Sequence, residues 1–438
     1  RRNSEEKGIM KRLKLLNRFV SSQFYPLFYY LIRWFWFCTV VGVFVGAASA
    51  LFLYLLNLST AFRENHLWII SLLPLGGFLI GWSYQRWGNR VVKGNNLLIE
   101  EFHKPQDIIP FRMAPLVLFG TIVTHFFGGS AGREGTAVQI GGAIADQLTR
   151  VLKLSDRERR MVLVMGISAG FASVFGTPLA GAIFALEVFI VGRMRYEAIY
   201  PSFLVAIIAN GVAVLLGASH THYAISAAPP ITLMNLVWSI LAGILFGLTA
   251  RLFSRLIDLI GKFFKKQISY APLRPVIGGA IIAIAVFAFG AYKYIGLGLI
   301  TLHDAFESEM APYDFLAKLL FTTFTLGVGF KGGEVTPLFF IGATLGNALS
   351  SIIPLPMPLL AGMGFVAVFA GATNTPIACI VMGIELFGLQ SSLYIALACI
   401  VSYLFSGHTG IYSAQIIGSP KSIKFGQDKG KRISELDE

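Results

Sequence analysis

Charge is scarce in this chain. Of its 438 residues only 23 are acidic and 36 are Lys or Arg, so charged residues make up 13% against 55% hydrophobic ones. Cysteine is scarcer still: Cys38, Cys379 and Cys399 lie inside apolar segments, none at a metal-ligand spacing. That excludes an oxidised framework and leaves three small buried residues. HExxH, GxSxG and Walker patterns are absent, which removes the common hydrolytic and nucleotide-binding readings. The first thirty residues lack the short apolar core and cleavage site of a signal peptide, so no removed leader is expected.

What the chain has instead is apolar length. A mean hydropathy of +0.68 is too high for a soluble domain of this size and marks an all-α polytopic membrane protein. Spanning-length runs fall near 34–57, 67–83, 113–127, 202–217, 232–250, 275–292, 315–330 and 392–405, with shorter runs between them broken by Gly and Pro. Backbone polar groups cannot stay unpaired against lipid, so such breaks must be packed in protein or line a polar cavity. The stretch from Met161 to Gly192 breaks at FGTP and that from Leu359 to Leu389 at TNTP, each read as a helix pair joined at membrane depth.

The net charge of +13 collects in short flanks: Arg1, Arg2, Lys7, Lys11, Arg12, Lys14 and Arg18 before the first span, Arg251 to Arg274 midway, and Lys421 to Arg432 at the end. This is topogenic charge that places both termini in the cytoplasm, and it gives no footing for nucleic acid. Residues 10–30 mix Lys and Arg with Leu, Phe and Tyr, which suits either a helix lying at the cytoplasmic interface or a solvated tether.

Two related halves make up the chain, 31–219 and 230–418, flanked by 1–30 and 419–438 in a single transmembrane domain. GREGT around Glu134 is echoed by GGEVT around Glu334, and TPLAGAIFALEVF from Thr177 by TPIACIVMGIELF from Thr375. If each half crosses the membrane an odd number of times, the second is inverted, with a site near the midplane. A helix starting inside the membrane presents free N–H groups and a positive dipole end, which favours an anion. An acid at that site competes with the anion when ionised and withdraws when protonated, so Glu134 and Glu334 are candidates for coupling an anion to a proton. Glu187 and Glu385 end apolar helices, and a structural role is favoured for both. Thr177 and Thr375 precede Pro and read as N-caps.

These runs together resemble the CLC chloride channel and transporter family. GREGTAVQIGGA followed by FGTPLAGAIFALE is similar to its signature, KGNNLLIEEF and GGEVTPLFFIGATLG to its anion-site segments, and Tyr412 in GIYSA to its late tyrosine, in order over roughly 35–415. The resemblance implies an inverted repeat of broken and re-entrant helices meeting at a midplane anion site, and a homodimer with one pathway per subunit. It makes Glu134 the external gating glutamate, presented by Gly132 and Arg133, and Tyr412 a hydroxyl donor to the central anion. Backbone N–H groups of Glu334 and Val335 would contribute from the second half. With so little chain after the last membrane segment, no cytoplasmic regulatory domain is expected.

The departures matter as much. Asn95 stands where chloride-selective members carry the serine of GSGIP, Val335 replaces the branch-point phenylalanine beside an added Glu334, and Val188 takes the place of the internal proton-transfer glutamate. These substitutions resemble the fluoride-exporting branch. Fluoride is small and strongly hydrated, and an Asn amide offers two donors where a serine hydroxyl offers one. Either Asn95 or Asn96 is open to touch the anion, the other capping the helix.

The expectation is therefore a fluoride/proton antiporter in a bacterial plasma membrane, with Glu134 moving and Glu334 and Thr336 tuning the central site. A chloride/proton exchanger or chloride channel is the alternative. An intramembrane enzyme using the glutamates with nearby His125 is remote, since no paired His or Cys spacing supplies a metal or nucleophile. No cofactor and no metal is expected.

Overall fold

The computed structural model describes residues 2–436 apart from 222 and 227, with side chains from 24 onward. Seventeen α-helices dominate these residues: α1 (Arg2–Asn65), α2 (Leu73–Ser83), α3 (Asn95–His103), α4 (Met113–Phe127), α5 (Glu134–Ala145), α6 (Gln147–Leu152), α7 (Asp156–Phe175), α8 (Pro178–Glu187), α9 (Ile199–Leu215), α10 (Leu233–Gln267), α11 (Leu273–Phe289), α12 (Leu299–Asp304), α13 (Asp314–Gly327), α14 (Val335–Leu349), α15 (Met357–Thr373), α16 (Pro376–Phe387) and α17 (Ser392–Phe405). The one sheet among the described residues is a parallel pair of two-residue strands, β1 (Ile190–Val191) and β2 (Ile416–Ile417).

Helix length decides what each element can do. The 64 residues of α1 make a rod about 96 Å long at 1.5 Å per residue, about three times the hydrocarbon core. Of the two readings of 10–30 the helix is the one that forms, and its backbone continues without a break through Pro26 into the first span. By contrast α5, α8 and α16 hold only 12, 10 and 12 residues, so at about 15–18 Å each covers half the membrane and must begin or end inside it.

Glycine lets the central helices touch backbone to backbone. A Cβ on Gly141 of α5 would stand 2.1 Å from the Gly166 carbonyl oxygen of α7, and one on Gly342 of α14 would stand 2.0 Å from that of Gly364 on α15. Small residues drive close packing where lipid offers no hydrophobic incentive. Corresponding helices of the two halves thus pack by the same device.

Both expected breaks form, after Phe175 and after Thr373, but their caps are not the threonines. Neither Thr177 nor Thr375 caps its helix through its side chain. Instead Glu187, ending α8, accepts from Ile377 N (3.2 Å) and Ala378 N (2.9 Å) at the start of α16. Glu385 of α16 in turn accepts from Leu179 N (3.1 Å) and Ala180 N (3.0 Å) at the start of α8. A carboxylate accepts two N–H groups at once and carries the charge the dipole favours, so it outcompetes a single hydroxyl.

Both ends of the membrane domain are tied back to the bundle. Arg33 pairs with Glu158 at the start of α7 (2.7 Å), and the Tyr30 hydroxyl donates to the Glu197 carbonyl. Ile416 and Ile417 pair with Ile190 and Val191.

Candidate anion and proton site

The two glycine-rich loops are tied to each other directly. Gly132 N donates to Gly333 O (2.6 Å) and Gly333 N returns a bond to Gly132 O (2.8 Å), a reciprocal pair that sets the starts of α5 and α14 side by side. The first loop is braced from α13, where the Ser130 hydroxyl meets that of Thr322 (2.8 Å) and Ser130 N donates to Thr325 Oγ1 (3.2 Å). His125 lies fully buried behind it, its ring nitrogens 2.8 Å from Thr121 O and 3.0 Å from Ala131 O. It therefore packs against the loop and not toward Glu134.

Glu134 reaches across this junction. Its fully buried carboxylate accepts from Thr336 N (3.1 Å) and from the Thr336 hydroxyl (2.6 Å), with Arg133 N and Nε at 3.3 and 3.4 Å. An ionised carboxylate here occupies the place an anion would take at the start of α14, and the short hydroxyl contact is charge-assisted. The N–H group that meets it belongs to Thr336. Val335, buried in the first turn of α14, and Glu334 before it do not make that contact.

Asn95 and Glu334 converge on Gly135. A Cβ built there would lie 3.1 Å from Asn95 Nδ2, 3.1 Å from Gly333 Cα and 3.5 Å from Glu334 Oε2, so any side chain at 135 would displace them. Asn95 Oδ1 and Glu334 Oε2 are both buried and find no hydrogen-bond partner among the described residues. Orphaned polar atoms are costly in a protein interior, and these two acceptors call for a hydrogen-bond donor.

On the other side of Asn95, a small cavity with room for one water-sized body is lined by Asn95, Leu98, Ile99, Val138, Ile167, Phe184, Val188 and Tyr412. Tyr412 is buried, its ring edge-on to Phe184 at 6.4 Å. Asn96 is otherwise engaged: its Oδ1 accepts from Ala414 N at 3.0 Å, tying α3 to the tyrosine turn. Of the two asparagines, Asn95 faces the site.

A network of charges anchors this wall from below. Arg159 of α7 grips Asp146 with two bonds (2.9 and 2.8 Å) and Glu101 of α3 with a third (3.1 Å), while Arg90 bonds Glu101 from the other side. It fixes α3, and thereby Asn95 at its first turn. Isolated Arg, Glu and Asp give no local signal of whom they pair with, so these residues do not stand out in the sequence, whereas the close approach at Gly135 follows from its place in a glycine-rich helix start. Among the described residues no group of three His, Cys, Asp or Glu forms a metal site.

Seventeen helices with paired broken starts around a buried acid define a polytopic ion-transport fold, and the comparisons with known proteins agree. Residues 76–407 match the model of the voltage-gated chloride channel family, and the chain belongs to that family. It is 53% identical over 412 residues to a chloride/fluoride channel protein of Pseudomonas syringae pv. tomato, covering 93% of this chain and 91% of that one. Among solved structures it resembles a CLC-type fluoride/proton antiporter at 34% identity and a TM-score of 0.85, covering 88% of this chain and 98% of the other. A slow cyanobacterial Cl−/H+ antiporter, 21% identical with a TM-score of 0.73 over 85% of this chain and 94% of its own, shares the fold.

Proposed function

We propose that the protein is a fluoride/proton antiporter that exports fluoride from the cytoplasm in exchange for protons, and that it is not an enzyme. The observation that carries this reading is the Glu134 carboxylate held across the repeat junction by Thr336 N and its hydroxyl, beside Asn95 and Glu334. The names of the Pseudomonas relative and of the antiporter structure support the choice of ion.

In this mechanism Glu134 and fluoride take turns at the start of α14. Protonation cancels the charge that binds Glu134 to Thr336, so the side chain leaves and the same donors accept fluoride, a hard acceptor of comparable charge density. Asn95 Nδ2 adds a donor from α3, and Tyr412 one from the last turn. Glu334, half-buried with one orphaned oxygen, takes part in proton exchange, a role that Val188 leaves unfilled. The halves 31–219 and 230–418 act as inverted repeats, and each subunit of a homodimer carries its own pathway. The cationic flanks lie on the cytoplasmic side of a bacterial plasma membrane.

Liposomes loaded with fluoride and followed by electrode and pH dye test the assignment. Uphill proton movement driven by a fluoride gradient is the expected result. Equal exchange with chloride would make it a chloride/proton exchanger, and anion flux without protons a channel. Single-subunit photobleaching in bilayers should give two steps, and one step would remove the dimer.

A further inference from the structure

The segment after α17 returns to the bundle. Gly418 N and Ser419 N both donate to Val191 O (3.1 and 3.0 Å), Ile417 N donates to Lys431 O (3.0 Å) and Gly430 N to Ile417 O (2.8 Å). Further along, Ile433 N donates to Gln415 O (3.0 Å) and Ser434 N to Ser413 O (2.9 Å). Residues 430–434 are thus laid along the turn that carries Tyr412.

Gln415 is the keystone of that turn. It is fully buried, and its Nε2 divides two hydrogens between Val188 O (2.7 Å) and Thr373 O (2.8 Å) while its Oε1 accepts from Asn374 Nδ2 (3.1 Å). Its own N–H bonds Tyr412 O (3.1 Å), and Ile411 N bonds Ala372 O (2.9 Å). Val188, one of the residues Gln415 grips, lines the same small cavity as Asn95 and Tyr412. The position of the Tyr412 ring is therefore set by a side chain that does not face the cavity.

Asn374 links this keystone to the tail. Its Oδ1 accepts from Lys421 Nζ (2.6 Å), which also bonds Ser406 Oγ (2.9 Å) and lies 4.1 Å over the Tyr403 ring. Burial pushes the Lys421 ammonium well below the ordinary lysine range. The tail is clasped again at His408, whose Nδ1 meets Asp428 (2.7 Å) and whose Nε2 accepts from Lys421 N (3.1 Å).

We infer that Gln415 is a positioning residue for Tyr412, braced through Asn374 by Lys421 of the C-terminal strap, and that this brace sets the inner constriction between Asn95 and Tyr412 and so the proton coupling. The inference rests on the exchange reading above. A hydroxyl that must meet a single ion works only if its support is held to a fraction of an ångström. Leucine at 415 would deprive the Val188 and Thr373 carbonyls and one amide hydrogen of Asn374 of their partner, and the turn would shift to replace it.

The test uses the full chain in liposomes, with the fluoride-to-proton ratio read from the reversal potential. Gln415→Leu is expected to raise the ratio as fluoride slips without protons, on the order of twofold, and Lys421→Met to raise it less, because a site held loosely loses its selectivity first. Wild-type ratios in both variants would overturn the inference, and so would lower flux at an unchanged ratio, which a merely structural role predicts. If Gln415→Leu does not fold, Lys421→Met decides alone. A wild-type protein that moves anions without protons would sink the exchange reading instead. The brace is then read from the anion flux, which must rise in both variants for the inference to stand.

Discussion

The two Gly-x-Glu-x-Thr helix starts share a sequence pattern and differ in what their side chains do. In the first, Glu134 abandons its own helix and bonds Thr336 of the other, while Thr136 bonds Thr121 of α4 (2.7 Å). In the second, Thr336 spends its hydroxyl on Glu134, and Glu334 keeps one oxygen without a partner. Gly135 leaves room where the second start carries Val335. A common backbone therefore supports one acid that acts as a ligand and another that stands beside the site.

The comparison can be broken most directly at Glu134. Glu134→Gln and Glu134→Ala should lower proton-coupled fluoride flux by on the order of 100-fold, since no other group of the first start reaches Thr336. Undiminished coupled flux would remove the residue from its role. Thr336→Val deletes the short bond to that carboxylate, a charge-assisted contact of about 1.5–3 kcal/mol. In a Glu134→Gln background, where no carboxylate competes for the same donor, half-saturation for fluoride should rise by about 10- to 100-fold, with Thr336→Ser restoring it. An unchanged value in Thr336→Val would show that the hydroxyl does not bind the anion.

Smaller effects sharpen the asymmetry. Glu334→Gln should cost about tenfold in coupled flux. A loss equal to that of Glu134→Gln would mean that the two acids are equivalent after all. Asn95→Ser replaces two donors by one and should lower the fluoride-over-chloride preference by about tenfold, measured as paired fluxes. A preference that does not move would clear Asn95 of selectivity. The least effect lies outside both starts. Ser155 and Glu158 form a capping box at the head of α7, so Ser155→Ala should cost about 1 kcal/mol of stability in thermal melts and leave the coupling ratio alone.

Much of this was legible in the sequence because Gly and Pro act locally. The breaks at FGTP and TNTP, the starts at GREGT and GGEVT, and the half-length helices between them follow from residues that cannot continue a helix or that allow close approach. The caps were misread for the complementary reason. A threonine before proline signals a cap to any local reading, and nothing near Thr177 reveals that Glu385 arrives from the other half. The choice between Asn95 and Asn96 was equally hidden, since it turns on Ala414, remote in the chain.

The sequence by itself determined that this chain crosses a membrane many times, that it carries two related sets of broken helices, and which acids lie at their starts. Each of these follows from composition and near neighbours, where hydropathy and backbone freedom act over a few residues. Only the tertiary structure decided that Glu134 bonds Thr336, that Asn95 and Glu334 meet at Gly135, and that the tail braces Gln415. Those are contacts between residues far apart in the chain, and a carboxylate or an amide accepts many partners. Which one it meets is fixed by how the two halves pack, and that depends on the whole chain at once.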